Sequence, residues 1–342
     1  MRTLTCPYKL ADPPDRRNDR LESLMKENEI NETEVRTSVG SRIAIHFKKY
    51  WQYHLMLLIP VIFFIVFCYW PMFGVSMAFQ DYEVGAPFLG PDTKWVGLKW
   101  FKMLVSSRLF PRLLRNTLLI SLYDLAIGFP ICILFALMLN EVRLKRLRKF
   151  TANVSLLPWF ISAVVVVAVL DNFFSLDDGI INNIIEKLGG TRKLIVGNPD
   201  WFRTLYIGSG IWQGCGYGAV VFTAAIAGID PVLYEAAAID GSTRFKNIFK
   251  ITIPCILPTI LIMLILRFGG LMSVGATKIL LMYRPLTYET ADVFGTYAYR
   301  IAFMDGKMSY SAAVDLFTSL VNLALLLLAN FGSKKFCETA LF

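Results

Sequence analysis

The stretch LYEAAAIDGSTRFKNIFKITIP, residues Leu233–Pro254, separates two long apolar segments of the chain. Just before it, Asp230 can cap a helix that begins at Pro231. The Asp230 side chain can accept a hydrogen bond from a free backbone N–H of the first turn, and Pro231 has no N–H that would be left unpaired at the first helical position. The helix is predicted to end at Gly241, since glycine readily adopts the left-handed conformation that closes helices. Ser242 is then expected to cap another helix. The stretch therefore predicts two short helices joined at a glycine.

The second of these helices is predicted to have one apolar face, with apolar side chains recurring three and four residues apart. The apolar face holds Phe245, Ile248 and Phe249, and the polar face holds Arg244, Asn247 and Lys250. Pro254 is expected to restart the chain as the next apolar segment. Because helices this short are marginal in isolation, residues 230–254, called the elbow below, are predicted to pack against another surface.

Composition places the elbow in a membrane protein. Of the 342 residues, 55% are hydrophobic and only 18% are charged. Several segments are long enough to cross roughly 30 Å of hydrocarbon as helices, and they lack the alternation of a membrane β-barrel. These segments are approximately 55–79, 113–139, 150–174, 204–228, 254–274 and 310–332. The sequence therefore predicts an all-α membrane protein with six transmembrane helices.

Charge and cysteine usage argue against other classes of protein. The formal net charge is +9, but the basic residues are spread over loops and form no basic–aromatic nucleic-acid module, so we expect no nucleic-acid partner. The six cysteines are scattered, and His46 and His54 both precede the first apolar segment. Neither a disulfide framework nor a metal site is therefore expected. Asp177 and Asp178 are expected to be solvated.

The distribution of Lys and Arg predicts the orientation in the membrane. The loop EVRLKRLRKF (141–150) is strongly basic, and basic residues also flank the first and last apolar segments. Because positive loops tend to stay in the cytoplasm, we expect both termini and the elbow on that side of the cell membrane. The loops predicted to face outward are 80–112, 175–203 and 275–309.

The spacing within the elbow resembles a known family. Glu235-Ala236-Ala237, then Gly241, then Ile251-Thr252-Ile253-Pro254 is similar to the EAA loop of bacterial type I ABC importer permeases. The resemblance implies a pair of coupling helices that dock on a cytoplasmic ATPase. It assigns this coupling role to six residues: Glu235, Ala236, Ala237, Asp240, Gly241 and Ser242.

Other motifs resemble the oligosaccharide and polysaccharide subgroup of these permeases. They include YWPMFGVSMAFQDY, NTLLIS, FALMLNEVR, LPWFIS and LTYETADVFGTYAYR. The resemblance implies import of a carbohydrate, delivered by an extracytoplasmic solute-binding protein. It further implies a second homologous permease, expected to form a heterodimer with this chain, and two ATPase subunits. The sequence departs from the subgroup at Trp159, Asp124 and Asp315.

This resemblance sets the expected domain organisation. Residues 112–332 are predicted to form the permease core, and residues 46–111 the first transmembrane helix with an outer loop. Residues 1–45 are polar and are predicted to be a disordered cytoplasmic tail. Residues 333–342 are predicted to be a second cytoplasmic tail.

Three charged residues fall within predicted spans, where a charge needs a partner or a water-filled cavity. They are Asp124, Arg267 and Asp315. In one interpretation, which we favour, Arg267 pairs with one of the aspartates and this ion pair fixes helix packing. In the other, Arg267 faces the substrate pathway and meets an acidic or hydroxyl-rich sugar.

The fourth apolar segment is rich in glycine, which is typical of close helix contacts in membranes. The competing hypothesis is that it lines the pathway, with Trp212 stacking on a sugar ring and Gln213 binding hydroxyls. Asn172 is a similar, weaker pathway candidate.

Rival functions receive less support. The chain has no G-x-x-x-x-G-K-[ST] phosphate loop, so ATP and Mg²⁺ are expected on a partner, with no cofactor bound and no catalytic residue in this chain. An ion-coupled secondary carrier would use Asp124 or Asp315 as its ion site. A membrane-embedded enzyme would need a cluster of nucleophile, base and metal ligand, which the spans lack. An ABC permease for a solute other than a sugar remains an alternative function.

Overall fold

The structure is a computed structural model that describes residues 46–83, 85, 90 and 93–337, with side chains as far as 335. The predicted tail 1–45 and the last five residues lie outside this part of the chain. The chain divides into two units, residues 1–73 and 74–342. The described residues are helical apart from loops and one isolated bridge between Gln80 and Trp95.

Helices follow one another along the chain with short connections. In order they are α1 Trp51–Phe79, α2 Lys99–Val105, α3 Phe110–Glu141, α4 Lys145–Phe160, α5 Ala163–Phe174, α6 Ile180–Lys187, α7 Pro199–Ala227, α8 Pro231–Ile239, α9 Arg244–Phe268, α10 Ala276–Met282, α11 Tyr288–Ala291, α12 Phe294–Phe303 and α13 Met308–Cys337. Five of the described helices, α1, α3, α7, α9 and α13, are long and apolar enough to cross a membrane. The pair α4 and α5 makes a sixth candidate span, so the predicted all-α membrane fold is confirmed.

The third apolar segment is not the single straight helix that its length predicts. It bends by 96° between α4 and α5. Pro158 lies in a tight turn at the end of α4, and Ile161 and Ser162 are extended. The Ser162 hydroxyl then caps α5 by accepting a hydrogen bond from the Val165 amide at 3.4 Å. Because the break is capped and short, it redirects the chain within one segment.

Three prolines inside the long helices are accommodated by wide turns rather than breaks. Each wide turn ends two residues before a proline: Phe64–Tyr69 before Pro71, Asp124–Gly128 before Pro130, and Ile248–Thr252 before Pro254. A proline ring clashes with the carbonyl four residues earlier, and an extra residue in the turn relieves that clash. The expectation that Pro254 restarts the chain is therefore wrong, because α9 runs continuously from the elbow into the fifth span.

Apolar clusters hold the helices of the second unit together. One cluster joins α3, α7 and α9, where Phe222 meets Phe129 edge to face at 5.9 Å and Ile256 is buried beside them. Another joins α2, α3, α12 and α13 around the fully buried Phe294 and Leu104. Between spans in lipid, close van der Waals packing rather than transfer from water stabilises such contacts, so the interlocking side chains of these clusters fix how the spans pack.

A buried carboxylate ties the connection between α9 and α13 to α3. Asp292 is fully buried and accepts hydrogen bonds from Arg112 at 3.2 Å and Arg300 at 3.0 Å, as well as from the Tyr283 hydroxyl at 2.9 Å. Burial lowers the pKa of Arg300, but its hydrogen bond and attraction to Asp292 outweigh burial and raise it. Two guanidiniums compensate one buried carboxylate here, as buried charges require. This arrangement holds α10 and α12 in place.

Candidate functional site

The elbow begins with a short helix closed at both ends by hydrogen bonds. The Asp230 side chain accepts a hydrogen bond from the Val232 amide at 2.9 Å, so the predicted cap is confirmed. Gly241 adopts a φ of +68°, and its amide donates to the Ala238 carbonyl at 3.1 Å. The Ser242 amide donates to the Ala237 carbonyl at 2.9 Å. These two bonds form a Schellman motif, which confirms the predicted stop at Gly241.

The second half of the elbow differs from the sequence prediction by one residue. Thr243, not Ser242, caps α9, because its hydroxyl accepts a hydrogen bond from the Lys246 amide at 3.4 Å. The Ser242 amide is already used to close α8. Local spacing permits either hydroxyl as the cap, and the Schellman motif decides between them.

Tyr234, which the sequence analysis did not single out, links the two arms of the elbow. Its hydroxyl lies 2.9 Å from the hydroxyl of Thr252, a buried residue in the wide turn of α9. Ile248 packs against the cluster of α3, α7 and α9. The sequence shows only that a tyrosine follows Pro231 by three residues, and this does not predict that its hydroxyl contacts Thr252. These contacts connect the elbow to the packing of the spans.

The other face of the elbow is exposed. Glu235 and Ala236 point away from the core, while Ala237 is half-buried. The Phe245 and Phe249 rings meet at 5.1 Å and are 72% and 57% exposed. Together with Val232, Leu233 and Ile239 they form an exposed apolar surface, called the elbow patch. The predicted face of Phe245, Ile248 and Phe249 is therefore divided, with Ile248 inward and both phenylalanines outward.

The intramembrane charges separate into one pair and one unpaired carboxylate. The Arg267 guanidinium lies 3.2 Å from the Asp124 carboxylate, and their side chains are 48% and 41% exposed. Asp124 occupies the wide turn of α3 beside Gly128, where an added Cβ would lie 2.7 Å from its carboxylate oxygen. Asp315 forms no ion pair within the described residues and lines a cavity of about 490 Å³. Of the two aspartates considered as partners, Arg267 therefore takes Asp124.

The predicted pathway residues on α5 and α7 do not meet at one site. Gln213 donates to the Ile161 carbonyl at 2.7 Å, where it satisfies the break between α4 and α5. Asn172 donates to the Ala168 carbonyl of its own helix at 2.8 Å. Trp212 is half-exposed on another face of α7. Gln213 and Asn172 thus have structural partners.

Two aromatic rings near the break are stacked on each other. Trp159 lies on Tyr217 with ring centroids 4.4 Å apart and planes at 5°. A Cβ added to Gly214 would lie 3.8 Å from the Trp159 ring. Both rings keep about half of their surface exposed. In the sequence, Trp159 stands out only as a departure from the subgroup pattern, and Tyr217 gives no signal beyond its place among glycines.

Close helix contact explains part of the glycine pattern in α7. At Gly216 an added Cβ would collide with the Ser155 carbonyl oxygen of α4. At Gly218 it would lie 3.0 Å from the Cys132 sulfur of α3. These two glycines therefore serve the small-residue packing that the sequence favoured. Within the part of the chain that the structure describes, no group of three His, Cys, Asp or Glu residues could hold a metal.

Comparison with known proteins identifies the family. The profile of the family "Binding-protein-dependent transport system inner membrane component" matches residues 128–336. Protein LplB of Bacillus subtilis (strain 168) is 40% identical over 294 residues, which cover 85% of this chain and 91% of that protein. The polygalacturonan/rhamnogalacturonan transport system permease protein YteP of the same organism is 41% identical over 290 residues, covering 84% and 89% respectively.

Solved structures show the same fold. A chain of a bacterial ABC transporter involved in the import of the acidic polysaccharide alginate is 40% identical, with a TM-score of 0.78 over 86% of this chain and 99% of that one. A second alginate transporter structure, in complex with a periplasmic protein bound to an alginate pentasaccharide, gives 39% identity and a TM-score of 0.79 over 88% and 100%. The chain therefore belongs to the inner membrane components of binding-protein-dependent transport systems, the permeases of ABC importers.

Proposed function

We propose that this permease imports a carbohydrate, and that its substrate is an oligosaccharide. The proposal is supported by relatives and solved structures whose described substrates are polysaccharides. The half-exposed Trp159–Tyr217 pair fits this substrate class, because aromatic faces stack on the apolar faces of sugar rings while hydroxyls need only hydrogen bonds.

The observation that carries the transport mechanism is the elbow. Its ends are capped and Tyr234 links its arms, so it is suited to move as one body. The exposed elbow patch needs a protein partner, since exposed apolar surface on a short helix pair marks an interface. We propose that this partner is a cytoplasmic ATPase subunit, with ATP and Mg²⁺ bound there.

Each proposed coupling residue has a role in that contact. Glu235 offers a negative charge to a basic residue of the ATPase, while Ala236 and Ala237 permit close approach. Asp240 and Gly241 shape the end of α8, and the Ser242 amide closes it. Closure of the ATPases would push this rigid unit, and α9 would carry the displacement into the fifth span.

A second permease subunit completes the proposed assembly as a heterodimer. The Asp124–Arg267 pair lies within spans, yet about half of each side chain is exposed in the single chain. Charges at that depth need to be enclosed by protein or water. A second subunit would enclose them in a pathway between the two chains, and a solute-binding protein would deliver the sugar from outside.

The decisive experiment is uptake by the complete importer in proteoliposomes. With this chain, its partner permease, the ATPases and the binding protein present, uptake of radiolabelled oligosaccharide is expected to require ATP on the ATPase side. Protonophore and sodium ionophore should leave it unchanged. Uptake by this chain alone, driven by an ion gradient, would establish the secondary carrier instead. ATP-dependent uptake of another solute but of no saccharide would establish a permease for a different cargo.

We predict from the same proposal that the elbow and both termini are cytoplasmic. In a cysteine-free background, an impermeant maleimide applied to intact cells should label Asp178→Cys and Lys307→Cys. It should reach Lys145→Cys and Lys246→Cys only after permeabilisation. All four positions are exposed, so accessibility reports the side of the membrane. The reverse pattern would contradict the positive-inside assignment and the contact with a cytoplasmic ATPase.

A further inference from the structure

Lys278 occupies an unusual position for a lysine. It lies on α10 beside Ile279, which is fully buried and anchors that helix in the core. Its ammonium donates a hydrogen bond to the Tyr206 carbonyl at 3.3 Å and lies 5.2 Å from the centre of the Tyr206 ring. The side chain is half-buried. The ammonium is therefore held in one place against α7, whereas a surface lysine would be free to move.

This ammonium has no carboxylate of its own. Among the described residues, no Asp or Glu oxygen lies within 4.0 Å of it, whereas Arg267 has Asp124 and Arg284 has Asp171 at 3.1 Å. Burial lowers the pKa of Lys278 to about 8, even though attraction from Asp124 opposes that shift. Asp124 makes its ion pair with Arg267, so within the described residues no carboxylate in contact neutralises the charge of Lys278.

Space beside the ammonium is open. One turn along α7 from Tyr206, a Cβ added at Gly210 would lie 3.8 Å from the Lys278 nitrogen and within 4 Å of nothing else. Gly208, further along the same helix, has open space as well. An amine with one neutral acceptor has donors to spare, because an ammonium has three. A negatively charged oxygen can therefore reach Lys278 from the Gly210 side.

We infer that Lys278 binds a carboxylate of the saccharide in transit, and that it makes this permease selective for uronate-containing over neutral saccharides. The inference rests on the proposed carbohydrate transport and deepens it. Arg267 is the less suitable residue for this contact, because its charge is already engaged by Asp124 at 3.2 Å. A single ammonium suits a substrate that moves past, since it is a compact point charge without the fixed two-bond geometry of arginine.

The test uses two probes that differ at one carbon. Trigalacturonate carries a carboxylate at C6 of each ring, where galactotriose carries a hydroxymethyl group. Uptake of each is measured in proteoliposomes containing the complete importer with its binding protein. Variants are Lys278→Gln, which keeps a donor for Tyr206 but loses the charge, and Lys278→Arg, which keeps the charge. Lys307→Gln, an exposed lysine after α12, is the matched control. The amount of assembled complex is measured for each variant.

The wild type is expected to import trigalacturonate. At equal amounts of complex, Lys278→Gln should lower that uptake about tenfold, which corresponds to loss of one hydrogen bond to a charged group. Uptake of galactotriose, where it occurs, should fall less, and Lys278→Arg and Lys307→Gln should both keep trigalacturonate uptake. Equal loss for both probes, or no loss for either, would overturn the inference. So would a wild type that imports galactotriose alone, although carbohydrate transport would then stand.

Anionic lipid is the other source of a negatively charged oxygen for Lys278, because α10 lies in the connection between two candidate spans. The measurements are therefore repeated in vesicles of pure phosphatidylcholine and in vesicles with added phosphatidylglycerol. The Lys278→Gln effect is expected in both. An effect confined to phosphatidylglycerol vesicles would assign Lys278 to a lipid headgroup and overturn its role toward substrate. Uptake of neither sugar, with ATP-dependent uptake of another solute, would instead refute the proposed function.

Discussion

Gly241→Pro is expected to abolish uptake while the protein still inserts into the membrane. Gly241 has a φ of +68°, which proline cannot adopt because its ring holds φ near −65°. The substitution also removes the amide that donates to the Ala238 carbonyl at 3.1 Å. Both changes open the Schellman motif, so α8 loses its fixed direction relative to α9. ATP-dependent uptake in proteoliposomes, at equal amounts of inserted protein, measures the effect.

Glu235→Lys is expected to have the same outcome for a different reason. Glu235 is exposed on α8 and makes no ion pair with the described residues, so reversing its charge costs the fold little. A positive charge there would repel the basic residue proposed on the ATPase. The ATPase should therefore be recovered in smaller amounts with the variant permease in affinity purification, and uptake should be lost.

Residues between α12 and α13 supply matched controls for both changes. Asp305 is an exposed aspartate, and Gly306 has the same φ of +68° as Gly241 with nothing near its Cβ position. Asp305→Lys and Gly306→Pro should retain ATPase association, because neither alters the elbow. Wild-type uptake by both elbow variants would exclude a coupling role, and loss of ATPase association in the controls would show that the effects are not specific to the elbow.

Arg267→Leu is expected to lower the amount of folded permease. The substitution leaves Asp124 without its partner at 3.2 Å, in the middle of the candidate span α3. A lone carboxylate at that depth costs about 2.5–3.5 kcal/mol on scales of membrane insertion. The exposure of the pair in the single chain reduces this cost wherever water reaches it. Fluorescence-detected size-exclusion chromatography of solubilised membranes measures the folded fraction.

Adding Asp124→Asn should restore the folded amount, because it removes the unpaired charge and keeps the shape. Asparagine is chosen because it has the size of Asp124, which lies so close to Gly128 that a Cβ added there would be 2.7 Å from the carboxylate oxygen. Lys94→Met, at an exposed ion pair of 3.9 Å with Glu83, should change nothing measurable. Normal folding of Arg267→Leu with weaker uptake of acidic sugars would favour the pathway interpretation. Normal folding and uptake of all sugars would contradict both.

Features that depend on neighbouring residues could be read directly from the chain. The cap at Asp230, the stop at Gly241 and most of the apolar spans are set by local chemistry, which acts within a few residues. The errors were local too. Thr243 replaced Ser242 as a cap, and Pro254 was absorbed by a wide turn. In both cases two local solutions were possible, and the hydrogen bonds and packing of adjoining elements selected one.

The candidate site also combines features that neighbouring residues in the sequence predict with features that only the packed helices specify. The coupling residues were proposed from the resemblance of the elbow to the EAA loop, which a local pattern carries because they occupy one short helix and its cap. The bend between α4 and α5 and the stacking of Trp159 on Tyr217 had no comparable signal. Each depends on α7 lying against α4, where Gly216 allows close approach. Such contacts join residues far apart in the chain, and no local preference specifies them.

Composition and periodicity were enough to determine a helical membrane protein with an exposed elbow, because lipid forces backbone hydrogen bonds into helices. The choice of Asp124 over Asp315 as the partner of Arg267 needed the packed structure, since the two paired residues are 143 positions apart. The same holds for Lys278, whose lack of a carboxylate partner among the described residues became evident only when α10 was placed against α7. Charge alone makes many pairs possible along the chain, and the packing of helices brings only some of them within reach.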